Sequence, residues 1–223
     1  MTLPVKEPLP ETVAPSGTLW SRMKSDPQYA PEHLAHDAVR RLGPEAAQWA
    51  ERVRAEQPGI TPDALADLAV KRFTTLARIS GAVSGATGLP GAVLDVGVLA
   101  WTQCRMVLHI AAAYGHDPAA PERASDLLVL QRVHKAADTA RLALGVAAGR
   151  ERASRLFTEV AGHPLSRVIL TLGVRLAQMA GVRASRRVFA KIVPAAAAVL
   201  GTWVNSAATR DLASRSRARF QPG

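Results

Sequence analysis

The longest mostly apolar stretch of the chain covers residues 91–114. Few polar side chains interrupt it, and its length favours one buried helix over a strand. Gly115 suits the left-handed position that ends a helix, Asp117 can cap the next helix, and Pro118 can occupy the first position of that helix. The pattern therefore predicts a central helix over about residues 91–114.

The stretch before this helix is rich in glycine and other small residues. Its sequence over 81–91, GAVSGATGLPG, lacks the Lys-Ser/Thr ending of a phosphate-binding loop, and no predicted strand precedes it. Pro90 ends the helix that comes before it. We expect these small residues to let two helices approach closely rather than to hold a phosphate.

Apolar residues spaced three and four apart predict helices on both sides of the central one. Residues 62–79 form a helix whose buried face contains Leu65, Leu68, Ala69, Phe73, Leu76 and Ile79. Residues 121–149 are predicted as one helix whose apolar face contains Leu127, Leu130, Val133 and Ala137. A further helix over 164–181 ends at Gly181, and Pro194 kinks or divides the last stretch before a ragged basic tail.

Composition supports the same fold class. Hydrophobic residues occupy 48% of the 223 positions, and aromatic residues account for only 4% of the positions. Much of the remaining hydrophobic content is alanine, the best helix former. We predict an all-α fold, a helical bundle built around the central helix. It is preceded by a disordered arm over 1–17 and an N-terminal helical extension over 18–60, and the main helical domain covers 61–220. Within the extension, Gly43 and Pro44 are expected to separate two helices.

The single cysteine, Cys104, excludes an internal disulfide and a cysteine-based zinc cluster. Because it lies among apolar residues, we interpret it as a small buried side chain. The first seventeen residues contain four prolines and no apolar run, which favours neither a signal peptide nor a membrane anchor. We expect a cytoplasmic protein.

The central helix carries polar residues on one side: Asp95, Thr102, Arg105 and His109. At 100° per residue they share an arc of about 80°, and Asp95 lies about 21 Å from His109 along a straight helix, too far for a catalytic dyad. Three interpretations fit this arc. The first is a buried hydrogen-bonding network that fixes helix packing, and the second is a site for a polar headgroup. The third is a catalytic site with a partner from another helix, such as Asp138, Glu159 or His163.

Metal binding is not indicated. Among the six histidines, His33 and His36 lie three residues apart on a predicted helix, but no HExxH pattern accompanies them. We expect a solvated helix face there, no metal site and no cofactor.

The net charge of +10 is concentrated at one end of the chain. From Arg150 onward the sequence holds thirteen basic and three acidic residues, whereas the first 149 residues are neutral. Such asymmetry indicates an anionic partner, either a membrane surface or nucleic acid. A general arginine bias on a soluble surface is the alternative.

A basic amphipathic helix is predicted near the start of this last third. Its polar face, within about 140° of arc, contains Arg183, Arg186, Arg187 and Lys191. It leads into an apolar run over 193–204 that is too short to span a bilayer, and in which Trp203 can lie at the headgroup boundary. These residues predict an element that lies on an anionic membrane surface.

Nucleic acid is the less favoured partner. Arginines of the tail, at 210, 215, 217 and 219, are able to contact phosphates. However, the sequence shows no helix-turn-helix pattern, aromatic platform or zinc motif.

Several of these pieces together resemble the EcsC protein family. They are the glycine-rich stretch over 81–91, Asp95, the YGHDP helix exit over 114–118, and a late pattern of Pro194, small residues, Gly201 and Asn205. The resemblance covers about residues 63–220. One departure is that alanines follow Pro194 where the family pattern has Pro-x-x-Gly. The resemblance implies a bacterial helical protein in a membrane-related setting and supplies no catalytic residues.

The sequence thus favours a peripheral, lipid-binding or accessory protein on the inner face of the cell membrane, with no catalytic signature. The alternative is a soluble helical protein with an apolar-ligand pocket lined by the central helix, either a binding protein or an enzyme that acts on lipid-like substrates.

Overall fold

The computed structural model describes residues 15–80, 88–156, 165–181 and 194–222. Side chains are described in these ranges except at 77–80, 88–93, 95, 151–156, 165–167 and 194–206. The described residues form eight α-helices, one 3-10 turn at Pro27–Tyr29 and no strand, which confirms the all-α prediction. The helices are α1 Gly17–Ser25, α2 Ala30–Glu56, α3 Pro62–Ser80, α4 Gly88–Ala113, α5 Glu122–Leu130, α6 Ala137–Leu156, α7 Leu165–Met179 and α8 Pro194–Phe220.

Helix α4 is the centre of the bundle. It packs against α2, α3, α7 and α8, and every residue from 99 to 113 is buried. It begins three residues earlier than predicted, so that Pro90 lies in its first turn, where a proline costs no hydrogen bond.

The end of α4 follows the prediction. Gly115 has a φ of +81°, and the backbone N–H groups of Gly115 and His116 donate to the carbonyls of Ala112 and Ala111. This hydrogen-bond pattern closes a helix through a left-handed residue, a conformation that glycine adopts without steric cost.

The predicted start of the next helix is wrong. Helix α5 begins at Glu122, and Pro118 lies buried in a turn that precedes it. The Asp117 carboxylate accepts a hydrogen bond from the backbone N–H of Ala119 at 2.9 Å. Asp117 therefore stabilises this turn and does not cap α5.

The predicted break at Gly43 and Pro44 is also wrong, since α2 continues through both residues. A Cβ atom on Gly43 would lie 2.6 Å from the Cα atom of Ala119. The glycine thus allows the backbone of the turn after α4 to approach α2. Packing along the whole helix outweighs the one hydrogen bond that Pro44 removes.

The stretch 121–149 is not one helix. Helix α5 ends at Leu130, and Arg132 has a φ of +59°. The N–H groups of Arg132 and Val133 donate to the carbonyls of Val129 and Leu128, so this is the same left-handed termination with arginine in place of glycine. Helix α6 then continues through Gly145 and Gly149 to Leu156.

The C-terminal tail is helical rather than ragged. Helix α8 begins at Pro194 and continues to Phe220, with Leu212, Ser216 and Phe220 buried at intervals of four. Helix α7 ends as predicted, with Gly181 at a φ of +71°. One core position was assigned wrongly, because Leu68 of α3 is 41% exposed.

The N-terminal helices share the core of the main bundle. Leu19 and Met23 of α1 and Trp49 of α2 are buried in the same hydrophobic cluster as the residues of α4. Gly97 of α4 allows the ring of Trp20 to approach, because a Cβ there would lie 2.3 Å from the indole. The packing of α4 is therefore completed by residues 17–56.

Candidate functional site

The polar residues of the central helix lie inside the bundle. Thr102, Arg105 and His109 are all less than a tenth exposed. The Thr102 hydroxyl donates to the carbonyl of Val98 in its own helix at 2.9 Å, so its hydrogen-bonding capacity is used locally. The side chain of Asp95 lies outside the described residues.

Arg105 forms an ion pair with α2. Its Nε donates to Oε1 of Glu45 at 2.9 Å, and one of its terminal nitrogens contacts the same oxygen. The guanidinium carbon also lies 5.9 Å from the centre of the Phe73 ring, within cation–π range. One charged side chain of α4 thereby connects α2 to α3.

His109 lies one turn further along α4, between two aromatic rings. Its ring centre is 4.9 Å from that of Trp49 and 4.7 Å from that of Phe73. The pKa of His109 is lowered to about 3, mainly by burial and in addition by the nearby cations Arg105 and Arg72, while its hydrogen bond to the Arg105 carbonyl acts in the opposite direction. The ring is therefore neutral at pH 7.

The tautomer follows from the same hydrogen bond. Nδ1 of His109 lies 2.8 Å from the carbonyl oxygen of Arg105. Because a carbonyl only accepts, Nδ1 carries the proton and Nε2 keeps its lone pair. A ring with this pKa is a poor general acid or base at neutral pH, since an efficient catalyst titrates near its working pH.

Cys104 is buried as expected. Burial raises the pKa of its thiol to about 12, so the reactive thiolate does not form near neutral pH. Its sulfur lies 3.7 Å from the side-chain nitrogen of Gln131. Among the residues that the structure describes, no group of three His, Cys, Asp or Glu side chains could hold a metal ion.

The predicted membrane-binding residues are not placed by the structure. Arg183, Arg186, Arg187 and Lys191 lie outside the described residues, and Trp203 lies in α8 with its side chain outside them.

Three of the four tail arginines, in contrast, form contacts within the fold. Arg217 pairs with Asp67 of α3, and Arg219 lies 3.1 Å from Asp126 of α5. Arg215 pairs with Asp211 and donates to the carbonyl of Leu130 at 2.9 Å. These three side chains hold the end of α8 against the bundle.

The helix exit over 114–118 joins three parts of the fold. The Tyr114 hydroxyl donates to the Asp63 carboxylate at the start of α3 at 2.6 Å. Nε2 of His116 lies 2.9 Å from the carbonyl oxygen of Phe220, the last residue of α8. Partial burial and the neighbouring Asp63 raise the pKa of Tyr114 to about 12. This motif acts as a structural junction.

The family model for the EcsC protein family matches residues 60–222. The chain belongs to the EcsC protein family. The match covers α3 to α8, including the helix exit and the whole of the central helix. Glu45 and Trp49 lie before the matched region, so an extension outside the EcsC region supplies the ion-pair partner of Arg105 and one of the two rings that flank His109.

No curated protein and no solved structure matches the chain. One segment, Val96–Ala113, is long and apolar enough to cross a membrane by length and composition alone. Because 89% of it is buried inside the bundle, its apolar character is explained as that of a core helix.

A second set of buried charges in the N-terminal helices was not anticipated. Asp37 is fully buried, its Oδ1 accepts hydrogen bonds from Arg22 and Arg40, and its Oδ2 lies 2.8 Å from Nε of Arg41. The arginines three and four residues after Asp37 were a visible signal for part of this cluster.

The start of α2 contacts the α5–α6 connection, and Asp26, just before the 3-10 turn, contacts α6. His134 lies 2.7 Å from the Glu32 carboxylate, and Arg150 donates twice to Asp26. Burial raises the pKa of Asp26, but hydrogen bonds from His33 and Arg150 outweigh it, and the pKa is lowered. These contacts join residues about a hundred positions apart, and nothing in the local sequence indicates them.

Proposed function

We propose that this EcsC-family protein attaches peripherally to the anionic inner face of the cell membrane. It acts there as a lipid-binding or accessory protein, and its basic C-terminal third forms the contact. One observation carries the proposal. Seven of the thirteen basic residues from Arg150 onward lie in a stretch of the chain that contains no acidic residue.

That stretch covers residues 160–210. It holds seven cations and no acid, and the cations are Arg167, Arg175, Arg183, Arg186, Arg187, Lys191 and Arg210. Of the remaining basic residues from 150 onward, Arg150, Arg215, Arg217 and Arg219 are ion-paired inside the fold. The +10 excess of this third therefore resides mainly in residues 160–210.

A lipid surface suits this stretch better than a nucleic acid does. Of the four tail arginines that are candidates for phosphate contacts, Arg215, Arg217 and Arg219 have acidic partners within the chain. In residues 182–204 the cations alternate with apolar side chains and precede Trp203. Basic residues interleaved with apolar ones and followed by an interfacial aromatic are typical of segments that bind anionic bilayers.

A charge-matched pair of variants tests the proposal. The first replaces Arg183, Arg186, Arg187 and Lys191 with glutamine. The control replaces four exposed cations elsewhere in the chain, Lys24, Arg52, Lys71 and Lys135, with glutamine. Both variants lose four positive charges, so a general effect of net charge changes them equally.

The expected readout is binding to vesicles of phosphatidylglycerol and phosphatidylcholine. Each basic residue near an anionic surface contributes about 1 kcal/mol, so the first variant binds up to about a thousandfold more weakly than the wild type. The control loses much less affinity, because its four positions lie outside the proposed contact. Equal losses in the two variants would contradict a contact in the C-terminal third.

A further inference from the structure

Large apolar side chains are exposed in pairs on two helices. Leu142 and Val146 of α6 are 72% and 47% exposed, and Leu170 and Val174 of α7 are 60% and 57% exposed. Each pair is spaced four residues apart and so forms a stripe along one side of its helix. Exposed apolar stripes on an otherwise packed bundle are candidate contact surfaces.

Helix α7 has two apolar faces of different kinds. Its inner face, with Leu172, Leu176 and Met179, is buried in the core of the bundle. Its outer face carries Leu170 and Val174 in contact with solvent. Core packing accounts for the first face and leaves the second without a structural role.

The two stripes differ in the charged residues that surround them in the sequence. On α6, the two cations whose side chains are described are both paired, Arg141 with Asp138 and Arg150 with Asp26. Arg175, next to Val174, is exposed, and the stripe of α7 lies inside the acid-free stretch 160–210. Only the α7 stripe is therefore placed in a purely cationic part of the chain.

We infer that the outer face of α7 is a membrane-docking surface, with Leu170 and Val174 entering the lipid of an anionic bilayer. Apolar side chains beside an exposed cation, in a stretch of sequence without acidic residues, complement a surface that has negative headgroups over an apolar interior. The inference rests on the proposed function and adds to it the side chains that penetrate.

The first test compares serine substitutions on the two helices. The test variant carries Leu170→Ser and Val174→Ser, and the matched control carries Leu142→Ser and Val146→Ser. All four positions are exposed, so both variants are expected to keep the wild-type fold, and a thermal melt checks this. Binding is measured with vesicles of equal parts phosphatidylglycerol and phosphatidylcholine.

The α7 variant is expected to bind at least about tenfold more weakly than the wild type, because two apolar side chains no longer enter the bilayer. The α6 control is expected to bind as the wild type does. If the wild type binds and the α7 variant binds equally well, the inference is wrong and the proposed function stands. If the wild type itself fails to bind, both are wrong.

A fluorescent label reports insertion directly. The only native cysteine is buried, with the pKa of its thiol raised to about 12, so an exposed engineered cysteine is labelled selectively. An environment-sensitive dye is attached to Leu170→Cys and, as a control, to Leu142→Cys. Bound vesicles should shift only the first label to the blue and shield it from acrylamide. An unshifted, quenchable label on vesicle-bound Leu170→Cys protein would overturn the inference.

Discussion

The guanidinium of Arg105 in α4 is paired with the carboxylate of Glu45 in α2, with Nε 2.9 Å from Oε1. The two residues are 60 positions apart in the chain, and only Arg105 lies in the region matched by the EcsC family. The Arg105 side chain is 8% exposed and that of Glu45 is 36% exposed. The pair is therefore a half-buried connection between the N-terminal extension and the central helix.

Replacing Arg105 with leucine should destabilise the fold by about 3 kcal/mol, because it leaves a partly buried carboxylate without its partner. Partial solvation of Glu45 keeps the cost near the lower end of the range for broken buried pairs. The measurement is urea unfolding at pH 7.

A double-mutant cycle provides the control for that prediction. Adding Glu45→Leu to Arg105→Leu removes the unpaired charge, so the double variant should be more stable than the Arg105→Leu single variant. Additive effects of the two substitutions would show that the pair contributes no coupling energy.

The lowered pKa of His109 predicts a loss of stability in acid. Unfolded histidine titrates near pH 6.5, whereas the pKa of His109 in the fold is about 3. Between these values the unfolded chain binds the extra proton, so the free energy of unfolding falls as the pH falls, by up to about 1.4 kcal/mol per pH unit. Urea unfolding of the wild type and of His109→Gln at pH 7.5, 6 and 5 isolates this contribution. Parallel pH profiles for the two proteins would contradict it.

The end of the central helix shows what the sequence predicts well. Gly115 is a local signal for the end of a helix, because glycine is the residue type that adopts a left-handed φ without steric cost. The structure has Gly115 in that conformation. Arg132 adopts the same left-handed conformation at the end of α5. Because no glycine occupies this position, the sequence does not predict that the helix ends there. The continuity of α2 through Pro44 was missed for a similar reason, since contacts with distant elements outweigh the local signal.

Gly115→Val should destabilise the fold by at least about 1–2 kcal/mol, because a β-branched side chain is strained at a φ of +81°. Gly145→Val is the matched control. Neither glycine has a neighbouring atom within 4 Å of a new Cβ, and Gly145 lies within helix α6. The control should be neutral or slightly stabilising, since valine is a better helix former than glycine. Similar thermal melts for the two variants would remove strain as the explanation.

The polar arc shows the limit of sequence for the candidate site. The helical period alone predicts that Thr102, Arg105 and His109 share one side of α4. In the structure all three are buried. Their partners Glu45 and Trp49 come from another helix, and pairing across helices depends on packing that no local pattern encodes. Counting charges along the sequence has the same limit, because it does not show which charges pair in the fold. Arg217 and Arg219 count as available for an anionic partner, but in the structure they pair with Asp67 and Asp126.

The central claim, membrane attachment through the positive charge of the C-terminal third, is tested most directly by the partitioning of the wild-type chain between water and vesicles. Binding is measured at about 0.15 M salt, where the Debye length is about 8 Å, to phosphatidylglycerol-containing vesicles, to pure phosphatidylcholine vesicles and to duplex DNA. We predict binding to the anionic vesicles that weakens as salt is raised, and much weaker binding to the neutral vesicles and to DNA. No binding to anionic vesicles, or tighter binding to DNA, would contradict the account.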